Sequence, residues 1–210
     1  RSALSAGMGA VAVEPVRVGA DGPMLSRIVA GAWRLADWNL AAAERLGWVE
    51  QCLDLGITSF DHADIYGDYR VESLFGDALA LAPALRDRLQ IVTKCGIKLR
   101  SGARPQHAIK SYDSSRSHVI ASVEQSLRAL RTDAVDFYMV HWAPGRGEEA
   151  LYEALAQVKR DGKARAVGVS LKTTADIDRV LAHPVVDGFM LKLSLLDPDP
   201  FLARRERIAA

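Results

Sequence analysis

A regular alternation of short apolar runs with helical repeats limits this chain more than any other feature. Six strand-like runs recur: Arg27–Ala30, Ile57–Asp61, Gln90–Lys94, Val135–His141, Ala164–Ser170 and Val186–Leu193. Between them, apolar residues return three and four positions apart. Leu46, Val49 and Leu53 mark a first helix, and Val71, Leu74, Phe75 and Leu79 a second. Val119, Val123, Leu127 and Leu130 mark a third; Leu151, Leu155 and Val158 a fourth; Ile177, Val180 and Leu181 a fifth. Asn39, Ser117 and Thr174 are the expected N-caps of the first, third and fifth helices, and Gly56 and Gly162 the stops after the first and fourth. Such βα repetition dictates a parallel sheet with crossover helices on its outer face.

Two architectures meet that pattern, an open doubly wound sheet and a barrel. The first needs a glycine-rich turn between the leading strand and its helix, but Gly7-Met8-Gly9 precedes that strand, so the barrel is expected. A closed barrel of this kind has eight strands. Ser194–Ala210 is too short to supply two more βα units, so the expectation is an α/β barrel truncated after about six strands. Its first and last strands would then carry unpaired edges through which copies could self-associate. Residues 1–14 read as a flexible N-terminal lead and 15–210 as a single, incomplete barrel domain. Val16–Val18 and Met24–Leu25 flank a turn-rich stretch and predict a small hairpin ahead of the first barrel strand. Lys98–Arg116 has no helical or strand period, as expected of a lid or mobile loop.

Composition removes several classes of function. A net charge of +1 gives no electrostatic reason to bind nucleic acid or an anionic membrane, and no apolar run reaches bilayer-spanning length. Cys52 and Cys95 fall on a helix face and in a strand, and are read as reduced core thiols in a cytoplasmic protein.

Chemistry gathers where the strands end. Asp61, Lys94 and His141 each close a strand-like run, and Tyr66 lies in the loop after the second. A barrel builds its reactive site from strand C-termini at one face, so these four residues are the candidate site. A free phenol, with its pKa near 10, is a poor acid at neutral pH. Lys94 at hydrogen-bond distance is expected to lower that value, Asp61 to keep the ammonium charged and aimed, and His141 to hydrogen-bond a substrate oxygen. The set suits protonation of a carbonyl oxygen while another group attacks the carbon. A metal centre built on Asp61, His62, Asp64 and His141 is disfavoured, because Asp61 and His62 point to opposite faces of a strand. His62, His107, His118 and His183 are read as structural, and Asp64 and Asp68 as turn or cap residues.

Phe60-Asp61-His62-Ala63-Asp64-Ile65-Tyr66-Gly67 resembles the signature of the aldo-keto reductase family. Val92-Thr93-Lys94, Tyr138-Met139-Val140-His141-Trp142 and Gly162–Ser170 match later motifs of that family in order, over about Pro15–Pro198. The likeness is greatest to a bacterial oxidoreductase branch, through Trp33–Asn39 and Thr93–Ile97. The resemblance implies a (β/α)8 TIM barrel, here lacking its C-terminal part. It implies NADP as cofactor and a small aldehyde or ketone as substrate. Tyr66 would be the general acid, tuned by Lys94 and Asp61, with His141 orienting the carbonyl. Gly31, Ala32, Trp33, Asp61 and Ser170 would line the nicotinamide end. Two departures stand out: Leu171 replaces the family's usual Asn, and Lys192 stands where a Gln is usual. The family's seventh and eighth strands, whose loops hold the cofactor phosphates, have no counterpart in this chain. Impaired cofactor binding is therefore expected. The alternative reading is a non-catalytic relative that senses a nucleotide or binds a protein.

Overall fold

In a computed structural model, residues 13–19, 21–142, 148–171, 173–191, 202–203 and 205–206 are described. Most of the N-terminal lead, Lys192 and nearly all of Ser194–Ala210 lie outside these residues. The first described element is the predicted hairpin, β1 (Pro15–Arg17) antiparallel to β2 (Met24–Ser26), with Val16 opposite Leu25. Then come β3 (Val29–Gly31), α1 (Ala42–Asp54), β4 (Ser59–Asp61), α2 (Tyr66–Tyr69) and α3 (Val71–Leu79). A 3₁₀ turn (Pro83–Arg88) leads to β5 (Gln90–Cys95). The loop after β5 holds a second hairpin, β6 (Ile97–Lys98) with β7 (Ser111–Tyr112). The chain continues through α4 (Arg116–Leu130), β8 (Val135–Val140), α5 (Glu148–Arg160), β9 (Ala164–Leu171), α6 (Thr174–Leu181) and β10 (Gly188–Leu191).

β3, β4, β5, β8, β9 and β10 form one all-parallel sheet in sequence order. All six expected barrel strands are therefore present, and among the described residues β3 and β10 are its edges. Among the described residues these six strands form part of a (β/α)8 barrel.

Strand parity sorts side chains into two cores. Register sets Gly31 beside Asp61, Asp61 beside Val92, Val92 beside Phe137 and Phe137 beside Ala166. Val92, Phe137, Met139 and Ala166 of this inward set pack with Val18 and Leu25 of the hairpin and Met190 of β10. The opposite set, including Phe60, Ile91, Tyr138, Val167 and Val169, packs on the helices through Val49, Phe75, Val123 and Leu155. Gly168 is required here: a Cβ on it would lie 2.1 Å from the Gly188 carbonyl oxygen and 2.8 Å from Phe137 Cζ. The Phe137 ring fills the space those two glycines leave.

The helix starts differ from expectation by one or a few residues. Helix α1 has Ala41 at its N-cap position, with Glu44 Oε2 accepting from the Ala41 N–H at 2.7 Å. Asn39 instead takes a left-handed conformation, φ 51°. Ser115, not Ser117, caps α4 by accepting from the His118 N–H, and Thr173 precedes α6 in place of Thr174. Periodicity locates a helix, but neighbouring Ser and Thr residues are near-equivalent cap candidates.

Asp136, fully buried, ties the foot of the sheet together. Its Oδ2 accepts from the Ile91 N–H at 2.9 Å and Arg86 Nη2 at 3.0 Å, and its Oδ1 accepts from Arg165 Nη1 at 2.8 Å. Replacement by Ala would strand the buried Ile91 amide and take from Arg86 its paired carboxylate. Asp136→Ala should therefore cost about 2–3 kcal/mol of stability in urea unfolding; a loss within error of zero would contradict this role.

Candidate active site

Backbone ladders running past the strand ends build the site. The His62 N–H donates to the Val92 carbonyl at 2.8 Å and the Asp64 N–H to the Lys94 carbonyl at 2.9 Å. These bonds carry the chain after β4 across the end of β5, so that Tyr66 arrives beside Lys94. Gly67 and Asp68 then turn in the left-handed region, φ 56° and 60°, followed by Tyr69 at 64°. Gly67 has no alternative, because a Cβ there would lie 2.7 Å from both Ala36 Cβ and Val71 Cγ2. Asp68 and Tyr69 pay a conformational penalty of about 1–3 kcal/mol each, which surrounding contacts offset.

Lys94 lies inside the barrel and is 1% exposed. Its Nζ donates to Asp61 Oδ1 at 2.5 Å and to the His62 carbonyl at 2.7 Å. The same nitrogen is 5.3 Å from the Tyr66 ring centroid. The His141 N–H donates to the Cys95 carbonyl at 2.7 Å, fixing the end of β8 against β5. The His141 ring stands 6.2 Å from that of Tyr66, centroid to centroid. Asp61, Tyr66, Lys94 and His141 thus converge at one rim, as strand-end placement predicted.

The charges behave differently from expectation in one respect. The Tyr66 phenol is raised above its ordinary pKa, first by burial and then by the Asp61 carboxylate, which favours the protonated form by its charge and as an acceptor. The expected lowering by Lys94 is not found: burial and then the Asp61 carboxylate both favour the protonated phenol. Burial lowers Lys94, while Asp61, Asp64 and Glu72 oppose that shift. His141 is pushed down to about 4 by burial, then by Lys94 and Lys110. At neutral pH the rim therefore holds a protonated phenol and a neutral imidazole. The Nδ1 of His141 is buried with no hydrogen-bond partner among the described residues, leaving a polar atom for a ligand to satisfy.

The residues that the family resemblance assigns to the nicotinamide end divide. Gly31 and Asp61 border a cavity of about 370 Å³ with Val92, Phe137, Met139 and Met190. Trp33 is 68% exposed beyond β3, whereas Ala32 is fully buried. Ser170 belongs to the inward row of β9, and Leu171 turns the other way into the sheet–helix core. Val18, Leu25, Val29 and Phe189 complete the lining of this largely apolar cavity. Lys192 lies outside the described residues.

Sequence reasoning missed two acids near Lys94, Glu72 buried and Asp64 half-buried. Glu72 of α3 accepts from Thr93 Oγ1 at 2.6 Å, and burial raises its pKa. Asp64, read as a turn residue, has a buried Oδ1, and burial raises it well above the carboxylate range. Glu72 was findable, since it falls on the apolar face of its helix beside Val71 and Phe75. His62 is fully buried, its ring 4.4 Å from that of Phe75, and is held neutral by burial and by Lys94. Cys52 and Cys95 are free and buried, and burial raises both thiols. Among the described residues no three His, Cys, Asp or Glu side chains converge on a metal position, and no helix is long and apolar enough to cross a membrane.

Comparison with known proteins agrees with this geometry. The model of the Aldo/keto reductase family matches residues 27–197. The uncharacterized oxidoreductase YcsN of Bacillus subtilis is 51% identical over 72% of this chain and 51% of its own length. The 6-dehydroglucose reductase of Agrobacterium fabrum is 40% identical over 84% of this chain and 61% of its own. Among solved structures, the holo form of aldo-keto reductase AKR11C1 from Bacillus halodurans superposes with TM-score 0.78 at 25% identity, covering 92% of this chain and 63% of that one. The chain thus spans about half to three-fifths of the length of these relatives.

The depressed His141 value gives a test. In the unfolded chain the imidazole titrates near 6.5 and in the folded chain at about 4. The unfolded state therefore gains its proton first, and stability present at pH 7 is lost as pH falls from 6.5 through 4. The His141 ring resonances in NMR should stay fixed from pH 8 to about 5.5 and move only near 4; a midpoint near 6.5 would contradict the buried, neutral ring.

Proposed function

The chain belongs to the aldo/keto reductase family, and from that premise we propose that it carries the rim of an NADPH-dependent oxidoreductase that reduces small aldehydes or ketones to alcohols. The observation that carries this reading is the convergence of Lys94, paired to Asp61 at 2.5 Å, with Tyr66 and His141 at the C-terminal ends of parallel strands. Tyr66, protonated at rest, donates its proton to the carbonyl oxygen as negative charge develops there. Lys94 stabilises the resulting phenolate, and its pairing with Asp61 keeps the ammonium in place between turnovers. His141, neutral and with a ring nitrogen free of protein partners, hydrogen-bonds the carbonyl oxygen and aims it at Tyr66. A reduced nicotinamide, when bound, supplies the hydride. Ser170 would meet its carboxamide, while Leu171, turned into the core, offers that group nothing; weakened cofactor affinity follows. The relative named for 6-dehydroglucose supports a compact carbonyl substrate.

Steady-state kinetics and cofactor fluorescence of Tyr66→Phe test this together. Loss of a general acid should lower kcat by about 10²–10⁴-fold, with the Kd for NADPH within about twofold of the unaltered protein, because the phenol touches the carbonyl and not the cofactor's anchors. Turnover that survives in Tyr66→Phe would remove Tyr66 from the chemistry.

A further inference from the structure

Tyr69 sits three residues past Tyr66, in the left-handed turn, and takes no part in the proton transfer described above. Its side chain reaches the loop that follows β5. The Tyr69 hydroxyl oxygen accepts from the Leu99 N–H at 2.8 Å and lies 3.3 Å from His107 Nδ1. Its ring carries the Arg104 guanidinium at 5.0 Å from the centroid, and the His107 ring stands 6.0 Å away. One side chain therefore contacts the loop at Leu99, Arg104 and His107, across most of its length.

The loop is also braced at its base and within itself, and Arg104 acts electrostatically on Asp64. Lys98 pairs with Asp113, and the Asp113 N–H donates to the Gly96 carbonyl at 2.9 Å. The Arg104 N–H donates to the Ser101 carbonyl at 3.1 Å, and the His107 N–H to the Arg104 carbonyl at 2.9 Å. Between these braces Arg100, Gln106 and Lys110 are exposed, and Ile109 presents a large apolar side chain that is 72% exposed. The loop leaves directly from the Lys94 strand, and Lys110 is near enough to His141 to act on its titration. Both ends of this segment thus border the rim that holds the carbonyl.

We propose that Tyr69 is a positioning residue that latches the Leu99–Lys110 segment to the turn carrying Tyr66, and so sets which carbonyl substituents the rim accepts. The specificity part rests on the reductase reading given above; the latch itself does not. The left-handed turn explains how a residue so near Tyr66 can face a different element. Without the reversal at Gly67, Asp68 and Tyr69, the Tyr69 ring would follow the helix and leave the loop unheld.

The test is Tyr69→Phe, which removes the hydroxyl and keeps the ring. Native-state trypsin should cut the Arg100–Ser101 and Lys110–Ser111 bonds about fivefold faster than in the unaltered protein, as expected for one lost hydrogen bond to a locally opening loop. Cleavage outside 98–116 and the thermal midpoint should not change. Unchanged cleavage at those two bonds overturns the latch, and uniformly faster cleavage at all sites assigns Tyr69 a general structural role instead. With a series of aldehydes of increasing size, the KM of the larger ones should change severalfold while kcat for the smallest stays within about twofold. A uniform change across the series overturns the specificity role. Proteolysis reads the latch without turnover, so its failure is separable from a failure of Tyr66 as proton donor.

Discussion

An ammonium with 1% exposure can persist only if its charge is met nearby, and in this barrel Asp61 meets it at 2.5 Å. Burying an unpaired charge costs several kcal/mol, so the Lys94–Asp61 pair constrains everything at the rim. It requires β4 and β5 to be adjacent and in the register that sets Asp61 beside Val92, two residues before Lys94 on the same face. It requires His62 to face the helices, where its carbonyl still reaches Lys94 at 2.7 Å. It also bears on the electrostatics: burial first and then the Asp61 carboxylate keep the Tyr66 phenol protonated, while burial and the cations Lys94 and Lys110 keep His141 neutral. The resting site is thus a protonated phenol and a neutral imidazole beside a paired cation.

The strands that carry chemistry were legible because an inward-facing strand end in a parallel sheet combines two periodicities. A largely apolar run marks the strand, and a reactive side chain that closes the run on its inward face marks the rim. Asp61, Lys94 and His141 follow that rule, whereas Ser170, inside β9, was marked by the family resemblance alone. The hairpin was equally plain from its turn residues. Helix starts were not, because Ser115 and Ser117, or Thr173 and Thr174, differ by contacts that no periodicity records. The direction of the Tyr66 shift was also hidden. It depends on whether the carboxylate or the ammonium dominates at the phenol, a matter of ångströms rather than residue type. Tyr69 was missed for a related reason: three successive left-handed residues redirect a side chain, and only Gly67 among them announces such a turn.

The residues that the family resemblance assigns to the nicotinamide end show how far a motif constrains a site. Gly31, Asp61 and Ser170 sit on inward-facing positions at the open end of the sheet, whereas Leu171 lies one residue out of phase and belongs to the core. An amide at that position would be held in apolar packing unless the strand end shifted, so the substitution matches its burial.

The measurement closest to the central claim is the titration of the Tyr66 hydroxyl, followed by tyrosine ring-carbon NMR in the unaltered protein and in Asp61→Asn. Asparagine keeps a carbonyl oxygen for Lys94 and removes the negative charge. If the carboxylate holds the phenol protonated, the Tyr66 midpoint lies above the ordinary tyrosine value and moves to lower pH in Asp61→Asn, as Lys94 is released to stabilise phenolate. A midpoint that stays in place or rises would show that the pair does not govern the phenol, and would contradict the account.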